Sequence, residues 1–482
     1  MNYYITTSIP YINGDPHLGH SLEFVMSDVL ARHARKQGDS VIFSTGTDEH
    51  GTKNAQKAAS LNLSPEEYAD QVSGQFINTL KLLDISNDRF IRTTSPEHQK
   101  RSQLIWKNLA KDIYKAKYNG WYDVKQEEFV ADGQADPERM KPDHPQAYQR
   151  LEEENYFFKL SNYTSRIKEA IEKDELKILP RTRRNEVLSL LNEGLSDISI
   201  SRPIEKLAWG IPVPDDPTQV MYVWFEALMN YITVLEYPAG ENFKQYWPAN
   251  VQVIGKDIIR FHAAIWPGML MSLGLPLPRL LFVHGFILIN GKAMSKSLGT
   301  GINPKEIVDK YGVDAFRYYF LRHIPSYDDG NFSWETFEAA YNNELANELG
   351  NAVQRTAAMI TRYQNNEIGL LPEKHVDLDL YHQALDDCHF DHALDIVWGQ
   401  VRGLNQYIDE EKPWLAAKDS DKTRLKQLLA YQAGCLIEIA DMLEPFLPAT
   451  AAKIKQTFAA GTLKPSSSTL FPKHDQAATD RA

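Results

Sequence analysis

The chain of 482 residues has almost no cysteine: Cys388 and Cys435 are the two it carries, far apart in helical-looking sequence. That argues against a disulfide framework and for a cytoplasmic location. It has no run of about 18 apolar residues, so no membrane span is expected. The opening MNYYITTSIPYINGDPHLGH lacks the basic stretch followed by an apolar core that marks a secretory signal. Positive charge is also short: 52 Lys+Arg against 64 Asp+Glu give a formal net charge of −12. That balance argues against a protein that coats nucleic acid non-specifically, but leaves room for a specific RNA held by local basic patches. PRTRRNE (180–186) is either such a patch or a solvated helix start. Internal repeats are absent too. What is present is length and a 43% hydrophobic composition, enough for two or three domains with buried cores.

YYITTSI near the start is rich in β-branched and aromatic residues and reads as a strand ending in the turn NGDP. The segment 17–38 then has apolar residues at 22, 25, 26, 29 and 30, a helical spacing, with Gly38 as a stop signal. SVIFSTGTDEHG (40–51) is a second strand leading into another helix, so the chain opens as strand–helix–strand, the unit of a parallel sheet. From about 115 to 215 the pattern breaks, and the polar, turn-rich stretch 123–155 reads as an insertion. Alternation resumes at MYVWFEALMNY (221–231), with strand signals in VQVIGKDI (251–258) and RLLFVHGFILI (279–289). After about 330 the apolar periodicity is helical throughout and implies a bundle; the Pro/Ser-rich tail 461–482 is expected to be partly mobile.

Two short motifs carry the chemistry. GDPHLGHSLEF (14–24) puts His17 and His20 where a helix begins, with Gly19 between them. Such a pair can cap and pack, or ligate a metal with Asp48, Glu49 and His50, or handle an anion. Zinc-binding helices space their histidines by four on one face, whereas the spacing here is three. Helix N-terminal amides attract negative charge, imidazoles donate hydrogen bonds to phosphate, and Gly19 permits close backbone approach. About 270 residues later, GKAMSKSLG (291–299) brackets Lys296 with serines in a Gly-flanked loop, which suits a phosphate clamp for a pyrophosphate leaving group. Neither motif is specific alone; in this order, around an insertion, they reinforce each other.

HLGH and AMSKS resemble the two signature motifs of class I aminoacyl-tRNA synthetases. The surrounding SIPYINGDPHLGH, STGTDEHGTKNAQKA, EEENYFFKLSNY, RRNEVL, SISRP, WGIPVP, YVWFEALMNY, GKDIIRFHAAIWP and NELANELGNAVQR are similar to the methionyl-tRNA synthetase family, from residue 5 to about 415. The resemblance implies an α/β, Rossmann-type parallel-sheet catalytic domain (1–115 and 216–330) split by a connective insertion (116–215). An all-α anticodon-binding bundle (331–462) and a tail (463–482) would follow. It implies that methionine attacks the α-phosphate of ATP, with Mg²⁺, and that methionine then passes to the end of its tRNA. His17, His20 and Lys296 would be catalytic. Gly19, Gly255, Asp257, Met294, Ser295 and Ser297 would bind ATP. Asp48 would hold the methionine ammonium, and Tyr11, Trp224, Ala227, Tyr231 and His284 would form its pocket, aromatic and adaptable as a thioether requires. Trp224 and Tyr231, seven apart, also fit plain packing on one helix face. Asn347, Asn351, Arg355 and Trp414 would read the anticodon, Trp414 by stacking, although it also fits a partly buried helix-packing tryptophan.

The chain departs from the family in three places. Ala293 stands where the loop motif usually has its first lysine; Lys296 is expected to suffice at a cost of roughly 1–3 kcal/mol. Residues 121–150 hold no cysteine and His144 alone cannot make a tetrahedral site, so no structural zinc is expected. Glu226 replaces the aspartate usual in YVWFDAL. With no further module visible after the bundle, a monomer is expected. A synthetase for leucine, isoleucine or valine would need a longer editing insertion, and one for cysteine would need a zinc site. A non-catalytic tRNA-binding relative would bind tRNA without forming adenylate. A metal-dependent hydrolase built on His17, His20, Asp48 and His50 would lose activity to chelator even with magnesium resupplied.

Overall fold

The computed structural model describes residues 1–123, 128–130, 148–293, 302–371, 377–419, 421–459, 461–464 and 469–473. The chain forms two compact units, each assembled from several segments.

The first unit comprises Met1–Asp15, Gly38–Asn78 and Asn87–Val283. Its centre is a six-stranded sheet of β1 (Asn2–Thr7), β2 (Ser40–Thr47), β3 (Arg89–Arg92), β4 (Lys177–Leu179), β5 (Val251–Gly255) and β6 (Leu280–His284), in the order β3-β2-β1-β5-β6-β4. β1 pairs in parallel with β2 and β5, as do β2 with β3 and β6 with β4. The strands read as continuous rather than alternating apolar runs because both faces are covered: Tyr4, Ile5, Phe43, Val253, Ile254 and Phe282 are all buried. The chain leaves β1 toward β2 and β3 on one side, while β5 and β6 extend the other. The carboxyl ends of β1 and β5 therefore flank the point where the order reverses, the place where open α/β sheets bind ligands.

Inside the span expected to be an insertion, Ile113–Asp123 and Tyr148–Phe158 form an antiparallel hairpin in register from Ile113 opposite Phe158 to Asp123 opposite Tyr148. Lys177–Leu179, in the same span, is instead an edge strand of the central sheet. The accessory stretch is thus shorter than its sequence boundaries suggested; three residues are too few to show a strand period. PRTRRNE begins the helix Arg181–Glu193, where Arg183 pairs with Glu186 at 2.8 Å. Trp224 and Tyr231 do not share one helix: Val223–Ala227 and Asn230–Thr233 are separate short helices with a break at Leu228–Met229.

The second unit comprises Pro16–Gln37, Thr79–Ser86 and His284–Ala482. The helix Leu18–Lys36 buries Leu18, Leu22, Val25, Met26, Val29 and Leu30, the periodic positions, and Gly38 follows it in the left-handed region at φ +89°. RLLFVHGFILI, read as one strand region, contains two strands in different sheets: β6 and Ile287–Ile289, the latter paired with Lys292–Ala293 and Gly330–Phe332. Beyond them the unit is helical, with the long helices Phe390–Glu411 and Lys422–Leu443 packing together over buried Leu394, Trp398, Leu429 and Leu436. Its boundary falls well before the expected residue 331, and Arg317 supplies a physical reason. Fully buried on the helix Val313–Arg322, it reaches Asp28 Oδ2 (2.7 Å) and the carbonyls of Leu83 (3.1 Å), Pro445 (3.1 Å) and Phe446 (2.6 Å). One guanidinium thus staples together four segments distant in sequence. Part of the tail is docked: Phe471 is buried edge-on to Tyr341, whose hydroxyl donates to the Pro472 carbonyl at 2.8 Å.

Candidate active site

In the second unit, His17 is the N-cap of the helix Leu18–Lys36. Its Nδ1 accepts from the Gly19 amide (3.1 Å), and the His20 Nδ1 accepts from the His17 amide (3.3 Å). This is a capping box built from two imidazoles in place of the usual hydroxyl and carboxamide. The rings stack with centroids 3.8 Å apart at 21°. Because each Nδ1 accepts, each neutral ring carries its proton on Nε2. Capping and anion handling are therefore not alternatives: the cap uses Nδ1 and prepares Nε2–H as a donor beside helix amides. His284 is buried in the same unit, its Nε2 3.0 Å from Glu23 Oε2, one turn along the helix that His17 begins. Met294, Ser295, Lys296 and Ser297 lie outside the described residues, as does His144.

In the first unit, Asp48 follows β2 directly and is 2% exposed. Its backbone pairs with the segment after β1: the Asp48 amide donates to Pro10 O (2.9 Å), the Ile12 amide donates to Asp48 O (3.1 Å), and Tyr11 is its bridge partner. Glu49 points the other way. Its carboxylate accepts from Thr47, Ser73, Thr94 and Arg92, while its carbonyl accepts from the Trp209 indole at 2.7 Å. These bonds fix the Asp48–His50 turn from several directions. Gly255 ends β5 buried, and Asp257 sits exposed in the turn Lys256–Ile258. Just after it, Phe261 stacks on half-buried Trp224 (4.3 Å, 16°), and His262 Nε2 meets the Tyr231 hydroxyl at 2.6 Å. The His262 Nδ1 lies 2.9 Å from the Ile258 carbonyl, so the ring donates there and accepts from Tyr231. Tyr11 and Asp48 are thus brought together beside β1 and β2, while Trp224 and Tyr231 are joined to the segment following β5. Tyr231 also serves as core, fully buried and accepting from Tyr4 on its carbonyl.

The least anticipated feature is a buried carboxylate. Glu226 on the helix Val223–Ala227 is fully buried, with Oε1 2.6 Å from His50 Nδ1 and Oε2 2.9 Å from His98 Nε2. Burial alone would push its carboxyl up; the two imidazoles outweigh this and hold it below the ordinary glutamate value. His98 carried no sequence signal. The one clue was Glu226 itself, a charge inside the apolar run YVWFEALM.

In the second unit's helical region Asn347 and Asn351 are exposed, and Arg355 is half-buried and paired with Asp409 at 2.7 Å. Trp414 is 38% exposed on the helix Pro413–Lys418, which packs against Asn351–Gln364. Helix packing claims only part of that ring.

Among the described residues, His389, Asp391 and His392 have ligand atoms within 4.8 Å of one another. The two rings stack nearly parallel, 4.5 Å apart at 8°, so their lone pairs run side by side and do not converge on one ion. The stacked His17–His20 pair has the same defect, and His50 Nδ1 is taken by Glu226. Among the described residues, His17, His20, Asp48 and His50 do not form a group of ligand atoms close enough to hold one ion.

A family model described as tRNA synthetases class I (M) matches residues 3–139 and 144–357. The chain is 40% identical over 476 residues to a methionine–tRNA ligase of Brucella melitensis, covering 95% of this chain and 92% of that one. It is 43% identical over 471 residues to a methionine–tRNA ligase of Caldanaerobacter subterraneus, covering 94% and 73% respectively. A methionyl-tRNA synthetase of Mycobacterium tuberculosis in complex with methionyl-adenylate superposes with a TM-score of 0.91 at 35% identity, over 98% of this chain and 99% of that one.

Proposed function

The chain belongs to the methionine–tRNA ligase family of the class I tRNA synthetases, and on that premise we propose that it activates methionine with ATP and transfers it to its tRNA. The observation that carries this is the near-full-length likeness to ligases of that name, one of them holding methionyl-adenylate. In the first step a methionine carboxylate oxygen bonds to the α-phosphorus of ATP, the bond to the bridging oxygen breaks, and pyrophosphate leaves with the electron pair. In the second, a hydroxyl of the terminal tRNA ribose attacks the methionyl carbonyl and AMP departs. Neither step needs covalent help from the protein; positioning and stabilisation of developing charge supply the rate.

The roles divide by residue. His17 and His20 present Nε2–H groups to the triphosphate, beside the Gly19 amide and the positive end of the helix. Lys296, with Ser295 and Ser297, grips the leaving pyrophosphate, and Mg²⁺ enters with ATP as part of the substrate. Asp48 takes the methionine ammonium: a carboxylate 2% exposed is strongly favoured by a cation beside it. Tyr11, Trp224, Ala227, Tyr231 and His284 surround the thioether side chain, and Gly255, Asp257 and Met294 meet the adenosine. Asn347, Asn351, Arg355 and Trp414 read the anticodon; the Arg355–Asp409 pair is exposed enough to exchange at little cost.

No helix among the described residues is long and apolar enough to cross a membrane. A cytoplasmic monomer without structural zinc completes the reading; metal analysis of tag-free protein finding zinc near one equivalent would contradict the last part. The decisive assay is charging of unfractionated tRNA with labelled methionine. Methionine should appear on methionine-accepting tRNA alone. Binding of tRNA with no charging would instead favour a non-catalytic relative, the reading that Ala293 keeps open.

A further inference from the structure

The carboxylate of Glu226 takes no part in the chemistry above, yet it sits fully buried, where a leucine of similar size would avoid desolvating a charge. Its partners suggest its use. An ionised carboxylate only accepts, so neutral His50 must carry its proton on Nδ1 and neutral His98 on Nε2. The remaining nitrogen of His98, Nδ1, then accepts from the Thr233 hydroxyl at 2.8 Å, and Ser102 Oγ lies 3.2 Å from Nε2.

The network joins four elements of one unit. His50 stands two residues after Asp48, in the turn that follows β2. His98 is on the helix Pro96–Asn108. Glu226 lies between Trp224 and Ala227, and Thr233 ends the short helix that holds Tyr231. On its other side Asp48 is fixed by its bridge to Tyr11. The turn bearing the proposed ammonium-binding carboxylate is therefore tied, through one charged acceptor, to the helices bearing the proposed side-chain pocket. Charge-assisted hydrogen bonds are the strongest and most directional available for such a tie.

We propose that Glu226 is a positioning residue for methionine activation, which through His50 and His98 sets the spacing between Asp48 and the pocket residues Trp224, Ala227 and Tyr231. This rests on the reading of those four residues given above. The tie runs through a glutamate arm to two ring nitrogens at 2.6 and 2.9 Å, so its length matters as well as its charge.

The test is methionine-dependent ATP–pyrophosphate exchange on the purified full chain, with KM measured separately for methionine and for ATP. Glu226→Gln should raise the methionine KM by about tenfold or more and leave the ATP KM within about twofold. Glu226→Asp, which keeps the charge on a shorter arm, should fall between wild type and Glu226→Gln. His50→Asn keeps a donor near the Nδ1 position and should hold the methionine KM within about threefold, whereas His50→Leu should match Glu226→Gln. A folded Glu226→Gln enzyme with an unchanged methionine KM overturns the proposal, as does an equal rise in both KM values. If Glu226→Gln does not fold, the His50 pair decides: equal damage from Asn and Leu overturns it. Absence of methionine-dependent exchange in the wild type would remove the functional reading itself and this inference with it, an outcome distinct from an active wild type with indifferent variants.

Discussion

Two carboxylates lie equally deep in this protein, one in each unit, and are held in different ways. Asp28 receives Arg317 and Arg32, each at 2.7 Å, and the Ser86 amide and hydroxyl at 2.7 and 2.6 Å. Glu226 receives two imidazoles. Burial pushes both carboxyls up, and in both the partners prevail and hold them below their ordinary values. An arginine keeps its charge at every accessible pH, and Arg317 directs its other donors to three carbonyls in two segments, so its ion pair acts as a staple. The imidazoles around Glu226 are directional ring partners, and they adjoin the residues proposed to bind methionine. A guanidinium that reaches several segments suits a joint that must not yield, and a carboxylate held by two ring nitrogens suits a joint that sets a spacing. Equal burial thus serves stability in one unit and placement in the other.

The contrast can be broken first at the staple. Arg317→Met leaves Asp28 buried without its main partner and should cost about 3–5 kcal/mol, read as a lower denaturant midpoint with an unchanged slope. A loss under about 1 kcal/mol would show that the pair carries no structural role. Next in size is Lys296→Ala, which should slow adenylate formation about a hundredfold or more with stability within about 0.5 kcal/mol, and Ala293→Lys should raise it by less than about a hundredfold. Trp414→Ala should lower kcat/KM for tRNA about tenfold and leave pyrophosphate exchange unchanged, since base stacking contributes roughly 1–3 kcal/mol. The smallest effect is on acid unfolding. A carboxyl whose folded pKa is depressed adds stability that is present above its unfolded value, about 4 for aspartate, and is lost as pH falls through the lower folded value. Asp28→Asn should therefore be less stable at neutral pH and lose stability less steeply below about pH 4; an unaltered acid limb would mean that Asp28 is not among the groups driving it.

Much of the frame was legible because it repeats. The helix Leu18–Lys36 announced itself by its apolar period and Gly38, and β1, β2 and β5 by their apolar runs. Lys177–Leu179 is hidden because three residues carry no period, so an edge strand of the central sheet lies inside sequence that reads as an insertion. The extent of the second unit was hidden because Arg317 meets partners from residue 28 to residue 446. Of the candidate site, HLGH was visible as a motif, but the sequence offered capping and anion handling as rivals, whereas a cap made through Nδ1 is compatible with both. His98 was invisible: it stands 128 residues from Glu226, and no local pattern marks a pairing at that distance.

The most direct measurement is ATP–pyrophosphate exchange with Mg²⁺, run on the purified full chain against each of the twenty amino acids. Exchange driven by methionine alone is the expected result, and it would establish adenylate chemistry and side-chain selection together, with Ala293 in place. Exchange driven by another amino acid, or by none in protein that still binds tRNA, would contradict the assignment.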